Sequence, residues 1–369
     1  MPSKKHTAFY SRSTERLLLG VVTLILSVMA LSYYSNIKGA LKEATDGYAD
    51  GSVIHLSYPI NEEKLKKALL KGGYFADERY VNFISKQLKH KIDERGALPN
   101  LGALNKNPYL VSAIAFAQTG TEEGKLRFLN SIAHLGMDSA LYYSELNNPT
   151  PYPTEVAISN EPGVSISGHV SLTGVDTVSH KGILVKLERI YPQVFFDTLS
   201  YQSPIQTVFY ARTDEKGNYK FTHLDPTGNY SVIAIKPGFE FGPSQGTASI
   251  KKDRIYNFTG KHHTMRLLDR VAYKQIKEDK IFTVRTPETF KKQFFSYLAL
   301  FVAAFWVLHV VLYLRKYRSD EFILPLIKFI LGIGIIVLYS IQDPLRDEMH
   351  GSGMAACAAA VLLFFAVLA

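Results

Sequence analysis

The chain has 369 residues, a single cysteine and a formal net charge of +9 at pH 7. This length is enough for two or three domains. Because there is no second cysteine, no disulfide can form within the chain, and its soluble parts must be held by packing. The basic residues gather beside apolar runs, and no basic-aromatic motif accompanies them, which argues against nucleic-acid binding. No residue pattern predicts a cofactor or a metal ion.

The first apolar run covers residues 17–34 and follows a basic N-terminus, residues 1–16. It is either a cleaved secretory signal or an uncleaved membrane anchor, and both would export the residues that follow. The run is long for a signal, and no Ala-x-Ala site lies near Ala30. These features favour a first transmembrane helix.

Three further apolar runs cover residues 294–314, 322–341 and 353–369. Each is long enough, or nearly so, to cross a hydrocarbon core of about 30 Å as a helix. The last run stops in hydrophobic sequence at Ala369 without a polar flank. We therefore expect the chain to be the front part of a longer protein.

The distribution of basic residues predicts the topology. The loop at residues 315–321 begins Arg315-Lys316, and it is basic like the N-terminus. By the positive-inside rule both segments should be cytoplasmic, so residues 35–293 and the loop at 342–352 should be periplasmic. The sequence thus predicts a multi-pass protein of the cell inner membrane.

Two ionisable residues lie inside the predicted spans. For Lys328, about two turns into the third span, we expect the amine to snorkel toward the cytoplasmic surface. For His309, in the inner third of the second span, we expect a neutral ring hydrogen-bonded to a neighbouring helix.

The pattern of residues 35–148 predicts an exported helical region. Asn61 and Asp77 are suited to cap two helices, and acidic residues follow each of them in the first turn. The apolar set from Val81 to Ile92 has spacings of three and four residues, as in an amphipathic helix. A proline-rich linker at 149–162 should then keep the chain extended.

From residue 163 to 268 the apolar period changes from helical to two-residue, with turn signals between short runs. Gly217 suits a turn, and Tyr219 and Phe221 then share one strand face. This pattern predicts a small antiparallel β-sandwich. The segment Thr213-Asp-x-x-Gly-x-Tyr-x-Phe-x-x-Leu-x-Pro226 resembles the carboxypeptidase regulatory-like domain, a prealbumin-like sandwich that usually acts as an accessory module.

Histidines 262 and 263 form a poor chelate, because neighbouring strand residues point to opposite faces. A charged connector at 269–293 leads into the second span, and Thr286-Pro287 can start a helix there.

The loop before the last run concentrates polar residues, and it supplies the candidate contacts to a lipid headgroup or an ion. These candidates are Asp343, Arg346, Asp347 and His350. The alternative is an outward loop whose charges stay solvated, and residue type alone favours that alternative.

The segment Leu338-Tyr-Ser-Ile-Gln-Asp-Pro-Leu-Arg-Asp-Glu-Met-His-Gly-Ser-Gly-Met-Ala-Ala-Cys357 resembles the opening of the FtsW/RodA/SpoVE (SEDS) family of cell-cycle and cell-shape proteins. The resemblance covers about residues 330–369. It implies glycan-strand polymerisation from a lipid-linked peptidoglycan precursor and partners such as a penicillin-binding protein. The family's catalytic acid lies in a later outward loop, so no catalytic residue carries over to this chain.

Two functions follow as hypotheses. The first is the front section of a SEDS-like protein of peptidoglycan synthesis, cell division or cell shape, with periplasmic domains for positioning or partner binding. The second is a membrane-anchored periplasmic binding or signal-relay module without enzymatic activity.

Overall fold

The computed structural model describes residues 12–57, 59–106, 109–134, 138–174, 180–190, 206–242, 245–247, 250–317 and 320–368. They form two compact units. The first unit contains the described residues up to Tyr109 and those from Leu267 onward, and the second unit runs from Leu110 to Arg266. Each unit has a hydrophobic core of its own.

The helices found in the described ranges are α1 (Ser13–Asp50), α2 (Glu62–Lys71), α3 (Glu78–Arg95), α4 (Ala113–Ala117), α5 (Glu122–His134), α6 (Ser139–Asn147), α7 (Arg270–Glu278), α8 (Pro287–Leu314), α9 (Ile323–Ser340) and α10 (His350–Leu368). A 3₁₀ helix covers Leu101–Asn105.

The strands are β1 (Ile54–His55), β2 (Leu110–Ser112), β3 (Glu155–Ala157), β4 (Val164–Thr173), β5 (Leu184–Ile190), β6 (Gln206–Arg212), β7 (Asn218–Leu224), β8 (Asn229–Ile235), β9 (Phe239–Glu240), β10 (Gln245–Thr247), β11 (Arg254–Ile255), β12 (Phe258–His262), β13 (Thr264–Arg266) and β14 (Phe282–Thr283).

Four helices of the first unit, α1, α8, α9 and α10, are long and apolar enough to cross a membrane. They pack together, and we call them the apolar bundle. Leu26, Phe305, Ile335 and Ala359 lie in its buried core, one from each helix. Large apolar side chains also cover its outside, among them Phe364. An apolar exterior of this kind suits a hydrocarbon solvent. The predicted third and fourth runs match α9 and α10 to within about three residues.

Helix α1 is much longer than the predicted span, because it continues without a break to Asp50. Its 38 residues correspond to about 57 Å, against a hydrocarbon core of about 30 Å. Leu41 and Ala44 are buried in the extension, and Tyr48 bonds the Thr283 hydroxyl at 2.7 Å. Gly51, in the left-handed region with φ of 76°, ends the helix.

The rest of the first unit is a small helical region formed by α2, α3, the 3₁₀ helix and α7. The predicted caps are present, since Asn61 accepts from the backbone of Lys64 and Asp77 from that of Arg79. The predicted apolar face of α3 is fully buried. Strands β1 and β14 pair in parallel and join this region to the start of α8.

The second unit contains two larger sheets and a two-stranded sheet in which β2 pairs with β13 antiparallel. The first larger sheet has the order β10-β8-β5-β6, and the second has the order β3-β7-β4-β12-β9, with β11 also pairing β4. Side chains of both sheets meet in one core, for example Val185 and Val232 from the first and Ile166 and Phe221 from the second. Gly217 has a φ of 86° in the turn before β7, as its position in the sequence predicts.

The units divide the chain differently from the predicted segments. Helices α4, α5 and α6, which the sequence groups with α2 and α3, lie in the second unit. The predicted linker contributes a strand, since β3 pairs with β7. Thr286 does cap a helix, but that helix is α8 itself, which runs on to Leu314.

Candidate functional site

The candidate site is the loop at residues 341–349, between α9 and α10, and we call its side of the apolar bundle the loop end. Asp343 organises the loop: one carboxylate oxygen accepts from the backbone of Leu345 at 2.9 Å, and the other accepts from Arg346 at 3.0 Å. Asp347 accepts from the backbone of Asp343 at 2.9 Å. The structure therefore brings together three of the four predicted residues.

Arg346 points into the protein. It is 6% exposed, and its second terminal nitrogen donates to the carbonyl of Lys280 at 2.5 Å. Its own carbonyl accepts from the backbone of Leu101 at 2.8 Å. These bonds attach the loop to the small helical region.

Arg285, which the sequence analysis did not single out, holds the same loop from the other side. Its guanidinium donates to the carbonyls of Pro344, at 2.7 Å, and Asp347, at 3.2 Å. Burial lowers the pKa of Arg285, and nearby Tyr339, Asp343 and Asp347 oppose that shift. A lone arginine in a charged connector carries no sequence signal that would have revealed this role.

His350 has a different setting from the other candidates. It is exposed at the first position of α10, and its backbone N–H donates to the side chain of Gln342 at 3.2 Å. Among the described residues, no hydrogen bond or ion pair joins its ring to Asp343 or Asp347. Of the four predicted site residues, His350 is exposed, Asp343 and Asp347 are half-buried, and Arg346 is buried.

Aromatic side chains pack beneath the loop. The Tyr33 hydroxyl donates to the carbonyl of Tyr339 at 3.0 Å, and the Tyr339 hydroxyl bonds Ser352 at 2.7 Å. The rings of Phe294 and Tyr339 meet edge to face at 4.8 Å between centroids. These contacts join α1, α8, α9 and α10 at the loop end.

An open groove of about 1100 Å³ lies beside the loop, within the first unit. Its walls are the part of α1 from Gly39 to Asp50, the turn at 278–281, and the loop at 343–346. Lys42, Lys280 and Arg346 contribute positive charge, while Asp46 and Asp279 contribute negative charge. A groove with both signs suits a ligand that also carries both, such as a zwitterionic headgroup or a peptide.

A second polar cluster lies at the opposite end of the apolar bundle, which we call the basic end. Glu15 accepts from His309 at 2.6 Å and from the guanidinium of Arg12. The predicted bond from His309 to a neighbouring helix is therefore present. The Lys328 ammonium does not reach for the surface as expected: it is 0% exposed and donates to the hydroxyl of Thr23 on α1.

The two neighbouring histidines of the second unit have separate surroundings. His262 stacks on Phe239, with 4.5 Å between ring centroids, whereas His263 lies 2.9 Å from the hydroxyl of Ser131. Burial lowers the pKa of His263. This separation follows from the alternation of side chains along an extended chain.

No family model and no curated protein matches the chain. Among solved structures, it is similar to a pilus-presented adhesin, Spy0125 (Cpa). One adhesin structure covers 28% of this chain and 28% of the adhesin chain, with 10% identity and a TM-score of 0.21. Two more cover 57% of this chain and 60% of the adhesin chain, with 9% identity and a TM-score of 0.21. The chain thus spans less than two thirds of the adhesin chains, and a TM-score this low supports no argument about fold or function.

Proposed function

We propose that this chain is the front section of a SEDS-like inner-membrane protein of peptidoglycan synthesis, cell division or cell shape. The four apolar helices cross the membrane, and the second unit is an exported β-sandwich of the carboxypeptidase regulatory-like type. The resemblance at residues 338–357 supports the family. The apolar exterior of the bundle supports the membrane setting.

The proposed topology puts the basic N-terminus and the loop at 315–321 in the cytoplasm. Its support is that Arg12 donates to the carbonyl of Tyr317 at 2.9 Å, and the backbone N–H of Glu15 donates to Glu321 at 3.3 Å. The start of α1, the end of α8 and the start of α9 therefore share one end of the bundle. By the positive-inside rule, that end faces the cytoplasm.

The observation that carries the proposal is the attachment of the loop end to the small helical region. Arg285 and Arg346 bond backbone carbonyls across that junction, and the backbone of Val284 donates to the carbonyl of Leu345 at 2.9 Å. A partner that binds the small helical region therefore also fixes the outward edge of the membrane core. The exported domains then position the core against partners such as a penicillin-binding protein.

The natural gene product, purified and placed in proteoliposomes with a lipid-linked peptidoglycan precursor, tests this function. We expect glycan strands to form, alone or with the cognate penicillin-binding protein. Arg346→Ala should slow polymerisation by up to about 100-fold, since a misplacement of reacting groups by about 1 Å can cost that much. Arg270→Ala, which removes an exposed arginine of α7, should leave the rate unchanged. Failure of the natural gene product to make glycan under both conditions would overturn the proposal.

A second function has one observation in its favour, the open groove beside the loop. As a membrane-anchored binding or relay module, the protein would hold a ligand against Lys42 and Lys71 in that groove. Titration calorimetry with soluble peptidoglycan fragments would then show binding that Lys71→Ala weakens. Glycan synthesis by the gene product, with no heat of binding, would decide against this alternative.

A further inference from the structure

The second unit is joined to the first through one two-stranded ribbon. Strand β2 pairs antiparallel with β13, and Leu110 is the register partner of Arg266, so the first and last residues of the second unit face each other. Residues paired in this way have Cα atoms about 5 Å apart. The chain therefore enters and leaves the second unit at neighbouring points.

The first unit also keeps its two chain ends together at this crossing. The backbone N–H of Leu267 donates to the carbonyl of Tyr109 at 3.0 Å. Tyr109, Leu267 and Leu268 are each 0% exposed. The two parts of the first unit, which the second unit separates in the sequence, are therefore joined by their own backbone.

Further bonds between those two parts complete the fold of the first unit. The backbone of Ile54 donates to the carbonyl of Ile281 at 2.8 Å, next to the pairing of β1 with β14. The backbone of Leu101 donates to the carbonyl of Arg346, also at 2.8 Å. Each of these bonds lies wholly within the first unit, so residues of the first unit alone close its fold.

A separate set of side chains holds the second unit together. Ile166, Phe221 and Val232 are 0% exposed in the core shared by its two larger sheets. Phe128 of α5 and Leu184 of β5, also 0% exposed, belong to a further core cluster. Among the described residues, both clusters contain only members of the second unit. A domain with a hydrophobic core of its own can in principle fold alone.

We propose that the second unit is an inserted module that folds and unfolds independently of the first unit. Both covalent connections between the units run through the β2–β13 ribbon, so the module acts on the membrane core as a tether. A partner bound to the module gains a raised effective concentration at the core. The bonds of Arg285 and Arg346 at the loop end stay as they are. Independent folding of this kind does not depend on the proposed glycan synthesis.

Hydrogen exchange of the full chain in nanodiscs tests this independence, because exchange reports the stability of each region separately. Phe221→Ala removes a large side chain from the core of the second unit, and Leu88→Ala does so in α3 of the first unit. Both residues are 0% exposed. We expect Phe221→Ala to speed exchange in β4, β5, β7 and β8 at least about tenfold and to leave α2 and α3 unchanged. Leu88→Ala should speed exchange in α3 and leave those strands unchanged.

Leu126→Ala, at the exposed surface of α5, is the control and should leave exchange unchanged in both units. A rise of similar size in both units, for Phe221→Ala or for Leu88→Ala, would overturn the proposal. No rise in the strands after Phe221→Ala would equally overturn it, because the core would then not hold the second unit. If Phe221→Ala prevents the second unit from folding, protection should be lost in its strands and kept in α2 and α3. Loss of protection in both units would decide against an independent module.

Discussion

At the basic end of the apolar bundle the carboxylate of Glu15 bonds the side chains of Arg12 and His309, whereas at the loop end Arg285 and Arg346 each bond at least one backbone carbonyl. A backbone carbonyl accepts hydrogen bonds and has no proton to gain or lose near neutral pH. The bonds of Arg285 and Arg346 therefore persist over a wide range of pH. The loop end is therefore joined largely through the backbone, and the basic end depends on one buried carboxylate and its two partners.

The largest effect should come from removing the acid at the basic end. Glu15→Ala removes the carboxylate that Arg12 and His309 share, while both of these side chains stay shielded from water. Breaking a buried pair in this way costs about 3–5 kcal/mol. The free energy of unfolding in mixed micelles measures the loss.

Arg16→Ala is the matched control, because Arg16 is exposed one residue further along α1. Equal losses for the two variants would mean that the cluster does not stabilise the basic end.

A somewhat smaller effect is expected at the loop end. Arg346→Ala removes the bonds to Asp343 and to the carbonyl of Lys280. Hydrogen bonds of charged groups contribute about 1.5–3 kcal/mol. The same unfolding measurement should show a loss in that range that is unchanged between pH 6 and pH 8. A loss that varies steeply with pH there would contradict the contrast between the two ends.

Tyr339→Phe tests a single neutral bond at the loop end. It deletes the hydroxyl that lies 2.7 Å from Ser352 and keeps the ring against Phe294. The expected cost is about 1 kcal/mol. The control is Tyr313→Phe, on the exposed surface of α8, which should not measurably change the free energy of unfolding. Equal losses for the two variants would mean that the bond to Ser352 does not stabilise the protein.

The smallest effect concerns His55, in β1 beside the loop end. Burial lowers its pKa from the usual 6.5, and a backbone hydrogen bond with Val284 partly opposes this. The unfolded chain then binds the proton more readily than the folded one, so stability is full above pH 6.5 and falls as the pH drops toward the lower folded pKa. His55→Gln should reduce the loss of stability between pH 6.5 and pH 5. An identical pH dependence in both proteins would contradict this.

Local patterns in the sequence predict much of this structure. The two-residue alternation of Tyr219 and Phe221, and of Tyr230, Val232 and Ala234, identifies strand faces that are buried. The caps at Asn61 and Asp77 follow from short polar side chains placed before acidic first turns. Such features depend on neighbours in the chain, and a single sequence contains them.

Features that depend on partners distant in the chain could not be predicted from the sequence. No pattern around Lys328 predicts its hydrogen bond to Thr23 on another helix. No pattern in the connector predicts that Arg285 bonds the α9–α10 loop. The extension of α1 did leave a signal, since Ile37, Leu41, Ala44 and Tyr48 are spaced by four, three and four residues. Polar residues lie between these four, so the mean hydropathy falls after residue 34. Hydropathy alone therefore ends the predicted helix there.

Helix α1 runs without a break from one end of the bundle to the other, so it connects the two ends as one rigid rod. A helix has no internal hinge unless proline, a bulge or an inserted group provides one. Glu15 and the groove wall at Leu41 are separated by 26 residues of this rod, or about 39 Å. A tilt of about 5° at the basic end would therefore swing that wall by roughly 3 Å. One unbroken helix therefore links the bond between Glu15 and His309 to the wall of the groove.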